Sequence, residues 1–200
     1  MPPLVLASKS PRRRELLLKL GFKFEAATPR ADEKMLENEP PDHYARRLAV
    51  AKAASVPGLK PGSIVLGADT VVVVDKDVFG QPTDNDDARR MLRALSGREH
   101  TVITGVAVHR FGGGYDEDLQ VTSKVRMRDL GEPEVEWYIL TGEPQGKAGA
   151  YAVQGAGGAF VVEIHGSYSN VVGLPLHQTM DLLKRAGVPP PWENPQMKWP

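Results

Sequence analysis

The stretch Leu6-Ala-Ser-Lys-Ser-Pro-Arg-Arg-Arg-Glu-Leu-Leu17 decides the fold. Apolar residues Leu4 to Ala7 run straight into Ser10-Pro11, and a basic, leucine-spaced segment follows. That order reads as a strand, a tight turn and a helix opening at Pro11. Serine is a natural N-cap, and proline suits the first helical position. The charge is unusual. The positive end of a helix dipole favours Asp or Glu, yet Arg12, Arg13 and Arg14 fill this first turn. Free amides at a helix start attract anions, and arginine forks match phosphate oxygens. Two readings stand: a polyphosphate cradle built from Ser8, Ser10, Arg12 and Arg13, or a solvated basic helix face.

Outward from this start, strand and helix patterns alternate. The spacing predicts a helix over 11–20, a short strand at Phe22–Ala26 and a polar, proline-punctuated loop at Thr28–Pro41. Asp42 is the expected cap of a helix to Ala54, with Tyr44, Leu48 and Ala51 on its inner side. Ile64–Val74 is the most apolar run and reads as a buried strand. A turn and return strand follow at Lys76–Gly80. Asp84-Asn-Asp-Asp87 opens a helix with Ala88, Met91, Leu92 and Leu95 inward, stopped by Ser96-Gly97. Thr101–Arg110 and Leu119–Arg128 flank Gly112-Gly113-Gly114 as a strand pair. A helix at Pro133–Leu140, a strand at Phe160–Ile164 and a closing helix at Leu176–Ala186 complete the pattern. The expected class is α/β with a mixed sheet. Residues 1–187 read as one domain of two lobes, divided near Ser96-Gly97 or within Gly142–Gly158, and 188–200 as an irregular tail.

Composition narrows the function. The chain has 200 residues, with 25 Lys plus Arg against 25 Asp plus Glu, so a general nucleic-acid or membrane-surface binder is disfavoured. With no cysteine there is no disulfide, thiolate metal site or cysteine nucleophile. Neither a signal-peptide pattern nor a membrane-length apolar run is present, so a cytoplasmic protein is expected.

A second signal is Gly67-Ala-Asp-Thr70, where Asp69 interrupts the apolar strand. A buried carboxylate is expensive unless paired, metal-bound or neutralised. Asp69 is therefore read as a metal ligand or general base, against an Asp at a bulge bonded to backbone amides. Glu33 in the polar loop is on its own a surface acid. Lys52 shares the inner face of its helix and either snorkels to solvent or points at an anion. A third signal is Gly146-Lys-Ala-Gly-Ala-Tyr-Ala-Val-Gln-Gly155, followed by Gly157-Gly158. Small residues imply a close backbone approach, with Lys147 and Gln154 as polar handles; the alternative is a glycine-rich turn between lobes. Ser169 and Asn170 suit ligand contact or turn and cap roles. Asp86 and Asp87 fit first-turn helix acids better than a metal pair. Walker, His-Glu-x-x-His and Gly-x-Ser-x-Gly patterns are all absent, so any metal is a hard cation held by carboxylate and substrate phosphate.

Taken together and in order, Ala7-Ser-Lys-Ser-Pro-Arg-Arg13, Gly67-Ala-Asp-Thr-Val71, Leu95-Ser-Gly97, Gly142-Glu-Pro144, Lys147-Ala-Gly-Ala-Tyr151, Gln154-Gly155 and Asn170-Val-Val-Gly-Leu-Pro175 closely resemble the Maf, or septum-formation, nucleotide pyrophosphatases. The likeness runs from about Leu4 to Gly187. It implies an α/β fold of two lobes around a deep cleft, similar to the inosine triphosphate pyrophosphatases. It also implies cleavage of a nucleoside triphosphate to monophosphate and pyrophosphate with a divalent cation, Mg or Mn. By position, Asp69 resembles the family's catalytic acid and Glu33 falls at an acidic cleft position; the two are the expected holders of the cation. Ser8, Ser10, Arg12 and Arg13 resemble its phosphate signature, Lys52 falls at a basic cleft position, and Lys147 lies in the matching Lys147–Tyr151 segment as a further substrate contact. Arg12, Thr70 and Gln154 match positions marking the subfamily that acts on dTTP and UTP, modified pyrimidines being further candidates. The subfamily acting on 7-methyl-GTP usually carries Ser-Asp-Gln where this chain has Ala68-Asp69-Thr70. One departure stands out: Gln81 occupies a usual lysine position, to be compensated by Lys147 or Lys76. Otherwise the chain is a nucleotide-binding module with little turnover. The family is often dimeric, which puts a homodimer among the expected states.

Overall fold

A computed structural model describes residues 2–193. Strand β1 (Leu4–Ala7) is buried along its whole length and leads into helix α1 (Pro11–Lys19). Ser10 is the N-cap, its Oγ accepting the Arg13 N–H at 3.5 Å, and Pro11 takes the first helical position. The helix stops at Gly21, whose φ is 81°. Gly21 N–H donates to the Leu18 carbonyl at 2.8 Å and Phe22 N–H to Leu17 at 3.1 Å. An apolar pair accompanies this closure, and both Leu17 and Phe22 are buried. Phe22 therefore belongs to the helix stop rather than to the expected strand Phe22–Ala26, and β2 is Glu25–Ala27.

Helix α2 (Pro41–Ala54) starts on Pro40 and Pro41, with Pro40 as N-cap. Asp42, the expected cap, lies in the first turn, where its charge offsets the dipole instead. The buried stripe is Ala45, Leu48, Ala49, Lys52 and Ala53, so Tyr44 and Ala51 lie beside it rather than on it. Close packing explains the rotation. A Cβ on Gly67 would sit 2.2 Å from the Ala49 carbonyl oxygen, and one on Gly105 2.2 Å from that of Ala45. Small residues on both sides let α2 press onto the backbone of the strands below.

Strand β3 (Ile64–Val74) has the predicted bounds and pairs in parallel with β1, Leu4 opposite Ile64 through Ala7 opposite Gly67. β4 (Asp77–Phe79) returns antiparallel along it. Helix α3 (Asn85–Leu95) is capped by Asp84, which accepts the Asp87 N–H at 2.8 Å, and buries Ala88, Met91, Leu92 and Leu95. β5 (Glu99–Arg110) and β6 (Asp116–Met127) are neighbours across the triglycine turn and longer than predicted. Helix α4 (Glu132–Leu140), β7 (Val161–His165), α5 (Tyr168–Val172) and α6 (Leu176–Arg185) follow. α5 replaces an expected polar turn. Asn170 Nδ2 donates to the Val102 carbonyl at 3.1 Å and to Ser123 Oγ at 3.0 Å, and Ser167 N–H donates to the same Oγ. Such long-range bonds leave no local sequence signal.

The described strands form one open, mixed, seven-stranded sheet in the order β2-β1-β3-β5-β6-β7, with β4 on β3, flanked by helices. This is the expected α/β class. The described residues divide into two compact units, one of residues 2–69, 104–120 and 173–193, the other of 70–103 and 121–172. The divisions thus fall inside β3, β5 and β6 and after α5, not at the expected places. The glycine-rich segment is packed rather than hinge-like: a Cβ on Gly149 would meet the Val72 side chain at 2.9 Å. In the first unit Val5, Ala7, Ala49, Ala53, Val56, Val65 and Ala107 form a core cluster. In the second, α3, α4 and Phe160 close over Val72 and Val74. Of the expected tail, Val188 is buried and Pro191–Glu193 make a 3₁₀ turn, while residues 194–200 lie outside the described residues.

Candidate active site

Side chains alternate along a strand, so Val65, Gly67 and Asp69 share the face of β3 on which α2 lies. The close approach allowed by Gly67 brings Lys52 to Asp69. Lys52 Nζ donates to Asp69 Oδ1 at 2.6 Å and lies 3.1 Å from Glu33 Oε2. Lys52 is 7% exposed and Asp69 8%. β3 is continuous through Asp69, so no bulge is needed to place it, and its partner is an ammonium. Burial pushes the Asp69 carboxyl above its usual range, against the pull of Lys52 and Arg13.

Arg13 reaches the same group from α1. Its Nε donates to the Gly173 carbonyl at 2.8 Å and its Nη1 to Ser8 Oγ at 3.4 Å. Burial lowers its pKa, while the charges of Asp69 and Glu33 act in the opposite sense and that of Arg12 adds to the lowering. Ser8 Oγ also accepts the Ser10 N–H at 3.1 Å, which fixes the turn that carries both serines. Ser8, Ser10, Arg12, Arg13, Glu33, Lys52 and Asp69 therefore all belong to the first unit. Two cations, Lys52 and Arg13, balance two carboxylates, Asp69 and Glu33.

The loop bearing Glu33 is tied to α2 by Tyr44, expected only as a core residue, and by Arg47, which the sequence did not single out. Tyr44 Oη donates to the Glu33 carbonyl at 2.7 Å, and Arg47 Nη2 to that of Lys34 at 3.0 Å. Arg47 also forks onto Glu39 at 2.6 and 2.7 Å. The available signal was Tyr44 and Arg47 three apart on one helix, opposite the acids of a loop rich in proline. Hydrogen bonding to Arg47, aided by the Leu36 N–H, draws Glu39 down from 4.5 to about 2. A depressed carboxylate stabilises the fold above its unfolded value, and this contribution is lost as pH falls through the folded one. Thermal midpoints measured from pH 4.5 down to 2 are expected to fall less steeply in Glu39→Gln than in the native chain.

The remaining predicted residues lie in the second unit. Thr70 follows Asp69 on β3 and so faces the opposite side, with Val72 and Val74 of that unit's core. Gln154 is exposed in the turn that precedes Gly155. Lys147 Nζ donates to the Gln145 carbonyl at 3.0 Å. Gln81 is exposed, and its neighbour Gly80 accepts the Gly149 N–H at 3.1 Å. Asp86 pairs with Arg89 and Asp87 with Arg90, as first-turn helix acids do. Ser169 bonds Ser167 through their hydroxyls, and Asn170 is a buried tie. Among the described residues no three His, Asp or Glu side chains converge as a metal cage.

Comparisons with known proteins identify the family. The family described as Maf-like protein matches residues 3–186. A protein named dTTP/UTP pyrophosphatase from Anaeromyxobacter dehalogenans (strain 2CP-1) is 55% identical over 196 residues, covering 97% of this chain and 99% of its own. Proteins of the same name from Myxococcus xanthus and Symbiobacterium thermophilum are 49% and 48% identical, each over 94% of this chain and 95% and 96% of their own. A paired acid inside an apolar strand, an arginine-rich helix start beside it and likeness over nearly the whole length lead to one conclusion: this chain belongs to the Maf family.

Proposed function

We propose that this protein hydrolyses dTTP and UTP to the monophosphate and pyrophosphate, with residues 1–187 acting as one catalytic domain. The observation that carries the reading is Asp69, buried at the end of a short ion-paired chain through Lys52 to Glu33 and within the field of Arg13. Three relatives bearing the name dTTP/UTP pyrophosphatase support the substrate. In the proposed step a water oxygen bonds to the α-phosphorus, and the bond from that phosphorus to the oxygen bridging it to the β-phosphorus breaks. Asp69 takes the water's proton, and pyrophosphate leaves with the bridging oxygen. Ser8, Ser10, Arg12 and Arg13 bind phosphate oxygens, and Lys52 and Lys147 add positive charge. Thr70 and Gln154 read the base.

The donor set fits a divalent cation. Lys52 and Arg13 are already matched by Asp69 and Glu33, so Arg12 and Lys147 alone face a triphosphate's charge and leave room for a further cation. Two carboxylates and no third acid suit Mg or Mn, which are completed by phosphate oxygens and water rather than by an all-protein cage. Asp69 and Glu33 would hold it. When bound, it supplies charge neutralisation at the phosphate oxygens.

Gln81 tests whether turnover is intact. Lys147 lies in the segment whose Gly149 bonds Gly80, whereas Lys76 lies in the β3–β4 turn. Lys147 is therefore the better substitute for the missing lysine charge. Pyrophosphate release is measured for dTTP, UTP, CTP, 5-methyl-UTP and 7-methyl-GTP, with and without Mg or Mn. A working enzyme turns over dTTP and UTP fastest, and Gln81→Lys changes its rate by less than about tenfold, since the charge is already supplied. A near-zero native rate that rises a hundredfold or more in Gln81→Lys would identify a binding module. Preference for 7-methyl-GTP would reassign the substrate. No helix among the described residues is long and apolar enough to cross a membrane. Action in the cytoplasm, independent of nucleic acid, and as a homodimer completes the proposal.

A further inference from the structure

The turn that carries Gln154 is gripped from both sides by one carboxylate. Gly155 N–H donates to the Ala152 carbonyl at 3.1 Å, which places Gln154 at the outer corner of a four-residue turn. Immediately after it, Ala156 N–H donates to Glu143 Oε2 at 3.0 Å and Gly157 N–H to Oε1 at 2.9 Å. Immediately before it, Ala152 N–H donates to Tyr138 Oη at 3.0 Å, and that hydroxyl donates to Glu143 Oε1 at 2.7 Å. Tyr138 is fully buried in the second unit's core on α4, so the grip is anchored to a rigid element.

This contact also accounts for the glycines. A Cβ on Gly155 would lie 2.1 Å from Glu143 Oε2, and one on Gly157 2.5 Å from Tyr138 Oη. The close backbone approach signalled by this segment is thus an approach to Glu143 and Tyr138. Three donors converging on one carboxyl favour its ionised, acceptor-only form. Burial opposes ionisation, yet bonds from Gly157, Tyr138 and Ala156 outweigh it and hold the carboxyl below its usual range.

We propose that Glu143 is a positioning residue for nucleotide selection, fixing the Ala152–Gly157 turn and thereby the place from which Gln154 meets the base. The inference rests on the reading of Gln154 as a base contact. A polar contact discriminates only when its geometry is held closely, because a displaced partner no longer penalises the wrong base.

Glu143→Gln tests it. The amide keeps the shape but turns one acceptor oxygen into a donor facing a backbone N–H. The ratio of kcat/KM for dTTP over 7-methyl-GTP is expected to fall about tenfold or more, carried by a higher KM for dTTP at nearly unchanged kcat. Gln154→Ala is expected to lower the same ratio, and the double variant to fall no further, since the two act as one unit. A folded Glu143→Gln with native discrimination, beside a Gln154→Ala that loses it, overturns the positioning role and leaves the base reading standing. A Gln154→Ala with native discrimination removes the base reading and this inference with it. Where Glu143→Gln does not fold, Tyr138→Phe decides, since it removes the hydroxyl that joins Ala152 to Glu143 and leaves the Ala156 and Gly157 bonds in place. A fall in the ratio supports the proposal, and an unmoved ratio overturns it.

Discussion

Asp69→Asn is expected to fold and to lose pyrophosphate release from dTTP and UTP by roughly a thousandfold or more, the scale of removing a positioned general base. Asparagine has the shape of aspartate and can still accept from Lys52, so the packing of α2 on β3 is kept. It can neither take the proton of the attacking water nor share a divalent cation with Glu33. Substrate affinity is expected to change far less than kcat, because the proposed phosphate contacts come from Ser8, Ser10, Arg12 and Arg13. The measurement is pyrophosphate release at saturating dTTP, beside a thermal midpoint that shows the variant folded. A near-native rate in a folded Asp69→Asn would remove Asp69 from the chemistry.

Much of this site was legible because its parts are local. A strand running into Ser10-Pro11 states its own cap and helix start. An acid within Ile64–Val74 stands out because everything around it is apolar. Pairing was not legible. Nothing in the sequence says that Lys52 meets Asp69, because the contact depends on α2 lying close over Gly67 and Gly105. The same holds for Tyr44 on the Glu33 carbonyl and for Glu143 beneath Gln154, where a side chain holds a backbone distant from it. Phe22 misled for a local reason: an apolar residue after Gly21 looks like a strand start but completes a helix stop. The division inside β3, β5 and β6 was hidden because a long strand shows no change of pattern where one packed unit gives way to the next.

Removing the cation at the centre of the site should cost stability as well as rate. Lys52→Met preserves the buried stem and deletes the ammonium that lies 2.6 Å from Asp69 Oδ1 and 3.1 Å from Glu33 Oε2. Breaking a buried pair from one side typically costs about 3–5 kcal/mol, because the other charge stays buried without its partner. For a chain of this size that corresponds to a fall in thermal midpoint on the order of 10 °C. The double variant Lys52→Met with Asp69→Asn should recover much of the loss, since neither charge is then left alone. The pH dependence has a definite sign. Lys52 pulls the Asp69 carboxyl down against burial, so its removal lets that group rise further. A carboxyl raised in the folded state favours folding at low pH, and the advantage is lost as pH rises through its folded value. The gap between native chain and Lys52→Met should therefore widen from mildly acidic to neutral pH in metal-free buffer. A Lys52→Met as stable as the native chain at neutral pH would mean that the contact balances no buried charge, and the electrostatic account of Asp69 would fall with it.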